Sequence, residues 1–183
     1  MATSKLDLVK LMNIAWERRK ESTAEEYEEK VKNLISHAFV EYENIYVSYC
    51  KDKNIKYNDD VFYLFQRLIL WNCLADDEFL QGEYDAYCKY CSWAKINPLT
   101  VEDCKALVRR TSRDAIVADL SLITKLRDAV DPENYQAMVQ GFCYMSLLGD
   151  KSFDENEYYL IRCFLKDGYD YCPSTWEQFK REW

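Results

Sequence analysis

A chain of 183 residues with 49% apolar side chains is long enough to bury a full hydrophobic core. Its formal net charge of −8 repels phosphate backbones, which excludes general DNA or RNA binding. With only 4 Gly and 3 Pro beside 15 Tyr and 5 Trp, it lacks the turn punctuation of a sandwich or barrel, so an all-α fold is expected.

The first predicted helix runs from Leu6 to Lys20, with Leu8, Met12, Ala15 and Trp16 among its apolar positions. The basic run Arg18-Arg19-Lys20 ends it and reads as a solvated face, as do Arg109, Arg110 and Arg113 later. Thr23 with Glu26 has the spacing of a capping box and restarts a helix that extends to Cys50. Along it Val31, Ile35, Ala38, Tyr42, Ile45 and Tyr49 alternate by fours and threes. That seam faces either the core or, as a short heptad, a second copy. A third helix, Asp59 to about Ala75, is apolar nearly all round and should be buried.

The fourth predicted helix, Gln81 to Lys95, stops before Asn97-Pro98, where proline cannot continue it. Thr100 with Asp103 caps a short fifth helix through Arg110, and Ser112 to Val130 makes a sixth. Asp131-Pro132 opens a broadly apolar seventh to about Leu148, with Asp as cap and Pro at the first helical position. Asp154 and Glu157 have capping-box spacing for an eighth, expected to end near Gly168. Ser174 opens a last amphipathic segment with Trp176, Phe179 and Trp183. Without a linker of Ser, Gly or Pro, residues 1–183 read as one compact multi-helix domain. Its parts are an N-terminal helical hairpin (1–57), a duplicated core (58–170) and a C-terminal helix (171–183).

The duplication is an ungapped repeat at an offset of 74 residues. Leu74, Asp76, Phe79, Glu83 and Tyr84 in one copy fall on Leu148, Asp150, Phe153, Glu157 and Tyr158 in the other. Two copies imply a pseudo-symmetric pair of helix–loop–helix units, since a solenoid needs about three. Each Phe should tuck into the core, and each Glu stands in the first turn of a helix, where the dipole and free N–H groups favour it. Each Asp lies at or beyond a helix C-terminus, where its charge is disfavoured. Either loop N–H groups satisfy it in an Asx-type turn or a cation does. An EF-hand is excluded: counted from Asp150, the sixth residue is Glu155 and the twelfth Ile161; counted from Asp76, they are Gln81 and Tyr87.

These repeated residues resemble the TerB-like (tellurite-resistance) family, whose signature is Asp-Gly-x-hydrophobic-x-x-x-Glu between helices. Asp, hydrophobe and Glu match in both copies, whereas Asp77 and Lys151 stand in the place of the family's Gly. The resemblance covers roughly residues 58–170. It implies an all-helical, pseudo-twofold domain of a non-enzymatic stress-response or accessory protein with an acidic metal site. Carried over, that site comprises Asp76, Glu83, Asp150 and Glu157, with Asp77 and Glu78 as acidic neighbours in one copy only. The expected cofactor is none or a divalent cation. The alternative is a helical protein–protein interaction or dimerisation module without metal, so a protein partner or self-association is the expected contact.

Other chemistry is thinly represented. Cys88-x-x-Cys91 has no second pair, and His37 is the sole histidine, so zinc would lack ligands. The pair falls mid-helix, away from the N-terminus that activates a redox thiol. Met1 to Asn13 lacks a basic and then apolar leader, so the 8 cysteines read as reduced core residues of a cytoplasmic protein. No apolar run reaches the roughly 18 residues of a membrane span. Phosphate-binding loops, nucleophile elbows and HExxH are missing, so no catalytic residue is assigned.

Overall fold

A computed structural model of the chain describes residues 5–52, 54, 69–71, 81–110, 132–149, 152–166 and 168–183, without the side chains of 38, 39, 41–43, 45, 46 and 49. The fold is all-α. Complete helices among the described residues are α1 (Leu8–Glu21), α2 (Ala24–Asp52), α3 (Gln81–Ala94), α4 (Val101–Arg110), α5 (Pro132–Gly149), α6 (Glu155–Arg162) and α7 (Trp176–Glu182). Most of the third predicted helix and all of the sixth fall outside the described residues. No described helix is long and apolar enough to cross a membrane.

The helix starts are chemically local. Asp7 caps α1, its carboxylate accepting from the Lys10 N–H at 3.0 Å. The box predicted at α2 forms in both directions: Thr23 N–H to Glu26 at 2.9 Å, and Glu26 N–H to the Thr23 hydroxyl at 3.2 Å. Thr100 accepts from the Asp103 N–H at 3.1 Å before α4, and Pro132 is the first residue of α5. Before α7 the cap is Thr175, one residue beyond the predicted Ser174, and it accepts from the Gln178 N–H.

The core is organised around α5, which packs against α1, α2, α3 and α6. Tyr135, Met138, Val139, Phe142, Cys143 and Met145 are all buried, on several sides of the helix, as expected of one enclosed by neighbours. Leu8, Leu11, Met12 and Ala15 form the buried stripe of α1. Each large apolar side chain removed from water contributes roughly 1.5–3 kcal/mol before entropy is counted. The predicted N-terminal hairpin is better described as two helices clasping α5, because α1 and α2 touch each other far less than α2 touches α5. Val31 and Ile35 are buried, so the first part of the α2 seam faces the core. The side chains of Ala38, Tyr42, Ile45 and Tyr49 are outside the described set.

Two features depart from the sequence reading. The basic run is not wholly solvated: the Arg19 guanidinium lies over the Tyr27 ring at 5.2 Å, and Tyr27 stacks on Tyr144 at 5.3 Å. The eighth predicted helix, α6, ends at Arg162 instead of near Gly168. Its last turn tightens through Phe164 N–H to Ile161 and Leu165 N–H to Arg162, each 3.0 Å. The chain then turns aside because the Asp170 carboxylate takes the N–H groups of Lys166 (2.8 Å) and Leu6 (2.9 Å). Leu8 N–H to Tyr171 and Tyr171 N–H to Leu6 complete a short parallel bridge.

Candidate functional site

Of the four predicted acidic residues, Glu83 and Glu157 are described, and Asp76 and Asp150 are not. Glu157 is 8% exposed and closes a capping box. Its Oε2 accepts from the Asp154 N–H at 3.0 Å, while Asp154 accepts from the N–H groups of Asn156 and Glu157. The two carboxylates together therefore satisfy helix-end donors that would otherwise go unpaired. Glu83, half-buried, stands in the first turn of α3.

What places Glu83 is a close crossing of the two motifs. A Cβ on Gly82 would stand 2.8 Å from the Gly149 carbonyl oxygen, and one on Gly149 would stand 3.3 Å from both Cα and N of Glu83. The start of α3 thus rests directly on the end of α5, at the residue preceding Asp150. Only two residues without side chains allow backbones so near.

The remaining described motif residues are structural. Phe153, 7% exposed, lies in the core as expected and meets Trp176, Phe179 and Trp183 of the C-terminal segment, while Phe79 lies outside the described residues. The two motif tyrosines make equivalent bonds. The Tyr84 hydroxyl donates to the Leu99 carbonyl at 3.0 Å, and the Tyr158 hydroxyl donates to the Pro173 carbonyl, each spanning 15 residues. Leu99 and Pro173 are themselves 74 residues apart, the repeat offset. Sequence reading missed this pair, although Pro98-Leu99-Thr100 and Pro173-Ser174 carried its trace.

Cys88 and Cys91 lie mid-helix in α3, Cys91 buried and Cys88 half-buried. Among the described residues no three His, Cys, Asp or Glu side chains are placed to hold a metal ion. His37 Nε2 lies 2.7 Å from Asn134 Oδ1 at the surface. The seven described cysteines are free thiols, and Cys163 is exposed, against the expectation that all were core residues. Burial, then the neighbouring Cys91 and Cys88, pushes the Cys104 thiol up to about 11. Burial likewise pushes Cys143 up. Because the folded state holds the Cys104 proton more tightly, its contribution to stability is intact below pH 9 and is lost as pH rises through about 11. Alkylation with iodoacetamide at pH 8 should label Cys163 first among the described thiols, with Cys104 and Cys143 reacting only on unfolding. Peptide mass mapping checks the order, and early labelling of Cys143 would contradict its burial.

Comparison with protein-family models, with curated proteins and with solved structures finds no match to this chain.

Proposed function

We propose that the chain is a non-enzymatic accessory protein, TerB-like in organisation, whose two helix–loop–helix corners form one acidic binding surface for a divalent cation. The observation that carries this reading is the Gly82–Gly149 crossing. It sets Glu83 of the first motif beside the end of α5, which Asp150 of the second motif follows in sequence. The paired hydroxyl bonds of Tyr84 and Tyr158 support a pseudo-symmetric relation between the units. Glu157 contributes one oxygen to its helix cap, and this reading assigns the cation to Asp76, Glu83, Asp150 and Glu157 together. The two aspartates enter it from the sequence alone. Oxygen donors of this kind suit Mg²⁺, Ca²⁺ or Mn²⁺ better than softer metals.

Calorimetric titration with Ca²⁺, Mg²⁺, Mn²⁺ and Zn²⁺ tests the proposal. A saturable heat with at least one of the first three is expected for the wild type. The Asp76→Ala/Asp150→Ala variant should bind far more weakly. Losing two direct ligands exceeds the loss of a supporting residue, which alone costs about 10–100-fold. Equal binding by both proteins would move the site elsewhere, and no binding by the wild type would remove the cation.

A further inference from the structure

We draw no further inference here: the strongest candidate, the shallow trough along the outer face of α1 around the exposed Ile14 and Tyr171, is lined by basic and acidic side chains alike, so its charge selects no partner and nothing in the structure shows what covers it.

Discussion

Phe153→Ala should lower stability by about 3–5 kcal/mol, the range for deleting a buried aromatic ring. Its ring centroid lies 6.0, 5.5 and 5.7 Å from those of Trp176, Phe179 and Trp183. Trp183 in turn meets Trp16 of α1 edge-on at 6.0 Å. The ring therefore joins the second motif to both ends of the chain, and an alanine would leave a cavity walled by rigid rings that collapse poorly. For a chain of this length the loss corresponds to a fall in melting temperature of roughly 6–20 °C. The emission of Trp176 and Trp183 should shift to the red before the rest of the fold is lost, because α7 is short and depends on this cluster. Phe153→Leu, which refills part of the volume, should recover about half of the loss. A Phe153→Ala protein melting with the wild type would show that Phe153 does not anchor α7.

Gly82→Val should cost about 3 kcal/mol, through overpacking that cannot relax by side-chain motion. The obstacle 2.8 Å from the new Cβ is the backbone carbonyl of Gly149, so α3 or α5 must move. Gly82→Ala should cost less, about 1–2 kcal/mol, since alanine's helix preference over glycine offsets part of the clash. Gly141→Ala is the contrasting case. Its Cβ would meet the Cδ1 end of Ile35 at 2.9 Å, and that methyl can swing away. With the same helix preference in its favour, Gly141→Ala should be close to neutral. Melting curves of the three variants decide the matter. Equal stability of Gly82→Val and wild type would mean that the two motif corners do not meet, and the acidic surface would lose its basis. If the corner does bind a cation, Gly82→Val should also abolish the calorimetric heat.

The candidate acidic residues were visible in the primary sequence because the repeat aligned them, and the role of one of them was visible too. Glu157 proved to be a helix cap, which its spacing from Asp154 announced. That Glu83 abuts Gly149 could not be read, because the contact spans 66 residues and depends on two helices crossing.

The linear chain by itself determined where helices begin. Thr23 with Glu26, Thr100 with Asp103, and Asp154 with Glu157 each close bonds within three residues, and such bonds form whatever lies around them. It also determined that α5 would be enclosed, because apolar side chains on several of its faces demand neighbours there. Only the tertiary structure decided where α6 ends. Asp170 and Tyr171 bind Leu6 and Leu8 across some 164 residues, and that pairing outcompetes one more helical turn. It alone decided which glycines carry the crossing, because that depends on the distance between segments and not on the order of residues within one.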